Sequence, residues 1–153
     1  MTLFPTIFKM QKLKRLFYYF LIAIILFAAV SIIIVGIIDR SDLSFMKGIS
    51  NSWLLFIFLL IIAYVQGQIS KKGLSDLQKF TDAEGLFDKY IQYYKKRLFL
   101  NCIPVITTAA LFVLTFKNVF FYLLFIQILF SFAFFPRQGQ ILKELPDRDI
   151  IFD

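Results

Sequence analysis

Four long runs of apolar residues, none of which contains a charged side chain, constrain this chain more than any other feature. They cover about 16–38, 53–69, 98–116 and 119–135. Helices of roughly 17 to 23 residues are about 25–35 Å long, which matches the hydrocarbon core of a bilayer, about 30 Å thick. The sequence therefore predicts an all-α membrane protein, a four-span antiparallel transmembrane helical bundle that forms a single integral membrane domain over 1–153.

Composition supports this fold class over a soluble domain. Hydrophobic residues make up 59% of the 153 residues, and 21 are Phe; ordinary globular domains are near half apolar. The first apolar run follows a basic segment, as a signal peptide would, but it is longer than the apolar core of a signal peptide and lacks a typical cleavage site. We therefore expect the first run to be a retained span.

The residues that are absent exclude several chemistries. The chain has no His and a single cysteine, Cys102, so histidine-ligated metal or haem sites and an intramolecular disulfide cannot be built from this chain alone. Four acids are close in sequence, but nearby basic residues indicate a solvated helix face rather than a catalytic or metal cluster: Asp76, Asp82, Glu84 and Asp88. We expect no cofactor, no metal site and no enzymatic activity.

Basic residues set the expected orientation. Four Lys or Arg precede the first run, seven lie in 70–97 and three in the tail 136–153, whereas only Arg40, Lys47 and Lys117 lie on the opposite side. The positive-inside rule then places both termini in the cytoplasm, and we expect a bacterial inner membrane. The formal net charge of +7 fits anionic lipid at that surface rather than nucleic acid.

The segment 70–97 predicts an amphipathic helix outside the membrane. Thr81 and Glu84 have the spacing of a capping box, and the sequence predicts one long third helix over 82–116 that extends into the cytoplasm. Gly73 and Gly85 are expected to break the chain before it. The apolar face of this helix is either a docking surface for a partner or packs internally on the N-terminal segment or on lipid; its residues are Phe87, Tyr90, Ile91 and Tyr94.

Polar residues within the third and fourth runs predict contacts between these helices. Only Lys117-Asn118 joins the two runs, so residues whose numbers add up to about 235 should lie at one depth. This predicts a hydrogen bond from Gln127 to Thr108 or Thr107. The set either holds the helices together or lines a path through the membrane; it comprises Gln127, Thr108, Thr107, Ser131 and Asn101.

Three other features bear on helix packing, helix shape and partners. Ala63 and Gly67 have a small-xxx-small spacing that permits close helix approach. Pro104 is expected to kink the third helix, with Asn101 helping to satisfy the freed carbonyls. The apolar triplet 150–152 near the chain end should tuck under the bundle or bind a partner.

Three hypotheses for function follow from these patterns. The first is a non-enzymatic subunit, scaffold or assembly factor of a membrane complex. The alternative is a small homo-oligomeric channel or transporter, and the least favoured is an enzyme that acts on lipid or quinone. The expected partners are the lipid bilayer and either a membrane protein or further copies of this chain.

Overall fold

A computed structural model describes residues 6–38, 52–80, 82, 85–146 and 148–153, and these residues are mostly helical. The long helices are α1 (Met10–Ile37), α2 (Ser52–Gln78) and α3 (Leu86–Thr115). The shorter α4 (Asn118–Ser131) continues into a 3-10 turn (Phe132–Phe134), and α5 (Gln138–Glu144) follows. Two short strands, β1 (Thr6–Phe8) and β2 (Ile150–Phe152), lie near the chain ends.

The helices confirm the prediction of a helical membrane protein in its coarse form. Three of them, α1 to α3, are long and apolar enough to cross a membrane, and α4 with α5 makes a fourth candidate span that is bent by 78°. The expected fourth run extends to Phe135, but α4 ends at Ser131. Phe135 is forced out of the helical region because it precedes Pro136, and it adopts φ −57° and ψ 127°.

α3 is the helix around which the others assemble, since α1, α2 and α4 all contact it. It begins at Leu86 rather than at 82 and continues through Pro104 to Thr115. The expected break at Gly73 is wrong, because α2 passes through it. A Cβ at Gly73 would lie 3.3 Å from the Tyr93 ring, so this glycine permits close helix packing instead.

Two of the sequence predictions fall on segments that lie outside the described residues. The proposed capping box involves Thr81 and Glu84. The expected orientation depends in part on Arg40 and Lys47, which lie on the side expected to face away from the cytoplasm. Gly85 immediately precedes α3 and, because it has no side chain, cannot cap the helix with a side-chain hydrogen bond.

The turn between α3 and α4 does not depend on Asn118. Phe116 takes the left-handed conformation, with φ 52°, and its N–H donates to the Phe112 carbonyl at 2.9 Å. Asn118 is already the first residue of α4. The short connection makes α3 and α4 antiparallel neighbours, as the sequence predicts, at the cost of one strained non-glycine residue.

The two chain ends meet in a parallel pair of strands. Thr6, Ile7 and Phe8 lie opposite Ile150, Ile151 and Phe152. The Asp153 carbonyl also accepts a hydrogen bond from the Met10 N–H at 3.0 Å, which satisfies one of the free donors in the first turn of α1. The apolar triplet at the end of the chain is therefore held against the fold.

Candidate functional site

The apolar face of α3 is covered by the chain itself. Tyr90, Ile91 and Tyr94 are each at most 4% exposed, and Phe87 is half-buried. The Phe8 ring lies edge-on to Phe87 and Tyr90, with centroids 5.1 and 5.3 Å away. In this structure the face is therefore not a free docking surface, because the paired termini bring Phe8 onto it.

A carboxylate in α5 holds the polar side of this face together. Glu144 accepts hydrogen bonds from Arg97 Nη1 at 2.6 Å, from the Tyr90 hydroxyl at 2.8 Å and from Gln140 Nε2 at 3.0 Å. The side chains of Arg97 and Glu144 are 20% and 10% exposed. The ion pair is thus largely buried, and removing either partner would leave a charge without compensation.

Further contacts fasten the C-terminal segment to α2 and α3. The Tyr94 hydroxyl donates to the Phe134 carbonyl at 2.7 Å, and the Arg97 guanidinium lies 5.0 Å from the centre of the Phe134 ring. Arg148 Nη2 donates to the Phe80 carbonyl at 2.6 Å, just past the end of α2, where a cation is favoured by the helix dipole.

Burial shapes the acid–base behaviour of the tyrosines in 86–97, the part of α3 that precedes its apolar run. Burial raises the pKa of Tyr90, and the neighbouring Glu144 carboxylate raises it further. Burial also raises the pKa of Tyr93, while nearby Arg97 opposes the shift. Both phenols are therefore kept protonated, so Tyr90 serves as a hydrogen-bond donor to Glu144.

Polar side chains also connect α3 and α4 within the apolar region. Gln127 Nε2 donates to Thr108 Oγ1 at 3.0 Å, which is the pair expected from the short turn. Asn101 Nδ2 donates to Ser131 Oγ at 3.0 Å instead of serving the carbonyls near Pro104. Thr107 turns away from α4 and donates to the Ile103 carbonyl at 2.9 Å.

One acceptor in this group has no partner in the part of the chain that the structure describes. The Gln127 side-chain oxygen is buried and makes no hydrogen bond. A buried carbonyl without a donor costs free energy, so this is a position where a water or a polar ligand would be stabilised. Ser131 and Thr108 beside it are fully buried.

A cleft of about 390 Å³ opens between α2 and α3, next to the Arg97–Glu144 pair. We call it the α2–α3 cleft. Its polar lining is Gln66, Ser70, Lys71, Tyr93, Arg97 and Glu144. Its apolar lining is Ala63, Gly67, Leu74, Leu100 and Phe134.

Of the three long helices that could cross a membrane, α2 has the smallest share of buried positions in its apolar stretch, 6%. Tyr64 is 69% exposed and Gln68 is also exposed. They lie one helical turn apart, and within the described ranges the structure records no hydrogen bond for either side chain. Gly67 lies beside this side of α2 and lines the α2–α3 cleft, and a Cβ there would meet nothing within 4 Å.

Sequence reasoning missed Glu144, Arg97 and Lys71. The partners of Glu144 in α3 are 47 and 54 residues away, and no local pattern predicts contacts at that separation. The only available signal is the spacing of Gln140 and Glu144, which places both on one face of a short helix.

Comparison with known proteins assigns no family. No protein-family model matches the chain, and no curated protein or solved structure gives a significant match. In the described part of the chain, no group of three or more His, Cys, Asp or Glu residues is arranged to hold a metal ion.

Proposed function

We propose that this chain is a non-catalytic subunit, scaffold or assembly factor of a membrane protein complex, and that α2 contacts the partner. In this proposal α4 and the 3-10 turn that follows it provide the fourth span of an antiparallel bundle, and both termini lie in the cytoplasm of a bacterial cell. The observation that carries the proposal is the outer side of α2, where Tyr64 and Gln68 are exposed and have no recorded hydrogen bond in the described structure.

Depth makes Tyr64 the more informative of these two side chains. Counting from Trp53, Tyr64 lies about 16 Å along α2, well within the apolar run, whereas Gln68 lies at about 22 Å, one residue before the run ends at Ile69. Lipid tails can cover an apolar helix face without loss, but they offer no hydrogen bonds to a phenol or an amide. A partner helix with donors and acceptors at the same depth would satisfy both groups.

The charges beside this surface favour a different protein over a second copy of the chain. Lys72 follows Gln68 by one turn and is exposed. Two copies joined through α2 in the same orientation would bring the two Lys72 ammonium groups together, which is unfavourable. We therefore propose a partner helix that presents acidic residues at the membrane boundary.

Site-specific photocrosslinking tests the proposal. A photoreactive residue replaces Tyr64 and, as the matched control, Phe130 of α4, because each of these aromatic side chains is 69% exposed. The proposal predicts one discrete product from position 64, mapped to a transmembrane segment of another protein and weakened by Gln68→Leu. No discrete product from position 64, or equal products from both positions, would contradict it, and a product containing two copies of this chain would favour the alternative.

The alternative is a small homo-oligomeric channel or transporter. The buried Gln127 oxygen without a partner favours it, because polar paths through membranes are lined by such groups. Flux of small ions or solutes through liposomes containing the purified chain would be lowered by Gln127→Leu if this group lines the path. The same substitution leaves flux unchanged if Gln127 only holds α3 against α4.

A further inference from the structure

We propose that the α2–α3 cleft is a binding site for an anionic phospholipid, with the phosphate held by Lys71 and Arg97. This goes beyond the subunit proposal, since it concerns the side of α2 that faces α3 and a different kind of ligand. The position of the cleft, its charge and the small residues that leave its volume open support this assignment.

The cleft lies at one boundary of the apolar region. The apolar run of α2 ends at Ile69, and that of α3 begins at Leu98. Gly73 packs beneath the Tyr93 ring, and a Cβ there would lie 3.3 Å from it, so the two ends lie at one level. In this proposal that level is the headgroup region of the bilayer.

The polar part of the lining carries more positive than negative charge. Arg97 and Lys71 are cationic, and Glu144 is the only acid among the lining residues. Glu144 pairs with Arg97, whereas Lys71 makes no ion pair within the described ranges. A guanidinium has five N–H donors, so Arg97 retains donors for a phosphate oxygen after binding Glu144.

The apolar part of the lining accounts for the shape and for the remainder of the ligand. Ala63 and Gly67 lie one turn apart on α2 and leave room that larger side chains would fill; a Cβ at Gly67 meets nothing within 4 Å. Leu100 and Phe134 complete an apolar end next to the charged one. A ligand with an anionic head and a hydrocarbon body matches both ends, and basic pockets between membrane helices bind such lipids.

The size of the α2–α3 cleft is consistent with a specific binding site rather than with unselective lipid binding over the protein surface. The cleft holds about 390 Å³, within the range of roughly 300–1,000 Å³ typical of small-molecule sites. Gln66 and Ser70 add neutral hydrogen-bonding groups beside the cations. These groups can bind glycerol or phosphate oxygens and would contribute selectivity.

Lipid competition on the full-length chain tests the proposal. The purified protein, stripped of lipid in a mild detergent, is titrated with an equimolar mixture of palmitoyl-oleoyl phosphatidylglycerol and phosphatidylcholine. Native mass spectrometry then counts the lipids that remain bound. We expect selective retention of one phosphatidylglycerol, and millimolar inorganic phosphate should not displace it.

Two variants, each with a matched control, test whether phosphatidylglycerol binds in the cleft. Lys71→Gln should weaken phosphatidylglycerol binding about fivefold, whereas Lys72→Gln removes the same charge outside the cleft and should change it little. Gly67→Leu fills the cleft and should abolish selective retention. Gly36→Leu is its matched control, because a Cβ at Gly36 also meets nothing within 4 Å.

Several outcomes would overturn the proposal. Equal losses for Lys71→Gln and Lys72→Gln would indicate diffuse surface charge, and equal retention of both lipids would indicate an unselective annulus. Displacement by inorganic phosphate would indicate a site for a soluble anion. Normal binding by Gly67→Leu would place the lipid outside the cleft, whether or not Lys71 contributes.

Discussion

The helices α3 and α2 are both long and apolar enough to cross a membrane, but their environments are opposite. In the most apolar 18-residue stretch of each helix, 39% of the α3 positions are buried within the chain, against 6% for α2. Three helices and β1 pack on α3, whereas α2 packs mainly on α3 alone. One helix is thus enclosed by the chain's own residues, and the other leaves most of its surface to its surroundings.

The polar side chains of the two helices also differ in whether they have hydrogen-bond partners. On α3 they have partners within the chain: Tyr90 and Arg97 bind Glu144, and Asn101 binds Ser131. On the outer side of α2, Tyr64 and Gln68 have none recorded in the described structure. An exposed apolar side chain in a membrane needs only lipid, but an exposed polar one needs a hydrogen-bonding partner. The comparison therefore places intramolecular stabilisation at α3 and supports the proposed partner contact at α2.

The largest expected effect comes from removing the aromatic side chain that closes the α3 face. Phe8 is fully buried against Phe87 and Tyr90, so Phe8→Ala should lower the free energy of unfolding by about 3–5 kcal/mol. Titration with a denaturing detergent measures this. Ile7→Ala, at a 56% exposed neighbour, should cost less than about 0.5 kcal/mol, and equal effects at 7 and 8 would show that the strand pair does not cover α3.

A smaller effect is expected at the carboxylate of α5. Glu144→Gln leaves Arg97 without its counterion and weakens a charge-assisted hydrogen bond, so it should cost about 2 kcal/mol of unfolding free energy. Lys143→Gln, at the exposed preceding residue, is the control and should be nearly neutral. A neutral Glu144→Gln would mean that the terminal segment is not held by this pair.

The Tyr90–Glu144 contact also predicts how stability depends on pH. Because burial and Glu144 raise the pKa of Tyr90 in the folded state, its contribution is complete below the unfolded value of about 10 and decreases above it. Between pH 10 and pH 11, wild type should lose about 1 kcal/mol more than Tyr90→Phe. Parallel stability curves for the two proteins over this interval would argue against the contact.

The smallest effect on stability is expected on α2. The double variant Tyr64→Phe, Gln68→Leu removes no recorded intramolecular hydrogen bond, so its free energy of unfolding should change by less than about 0.5 kcal/mol. Its photocrosslinking to a partner, with the photoreactive residue moved to Leu60, should nevertheless fall. A large loss of stability without any change in crosslinking would reverse the comparison, because α2 would then be stabilised from within the chain.

Local sequence predicts the parts of this structure that depend on local rules. The apolar runs predict the long helices, and the two-residue connection predicts the pairing of Gln127 with Thr108, since a short turn fixes depth. Pro136 forces Phe135 out of the helical region and so ends the helical segment after the 3-10 turn at Phe134. In the turn between α3 and α4, Phe116 takes the left-handed conformation. Phenylalanine does not favour this conformation, so local propensity does not predict it.

Contacts between distant segments could not be predicted in the same way. Phe8 and Phe152 lie at opposite ends of the chain, yet their strands pair and cover α3. Glu144 lies in a seven-residue helix whose binding partners are set by the bend after α4. A face that contains aromatic residues and tyrosine hydroxyls suits an internal contact and a partner equally well, so its pattern does not identify which one covers it.

Composition and length are sufficient to predict long apolar helices suited to a membrane, because they govern the transfer of uncharged side chains into hydrocarbon. The enclosure of α3, the covering of its polar end by the strands β1 and β2 and the open surface of α2 follow from tertiary contacts. Lipid and protein solvate an apolar helix face almost equally well, so which of them covers it depends on distant residues that fold back to bind it.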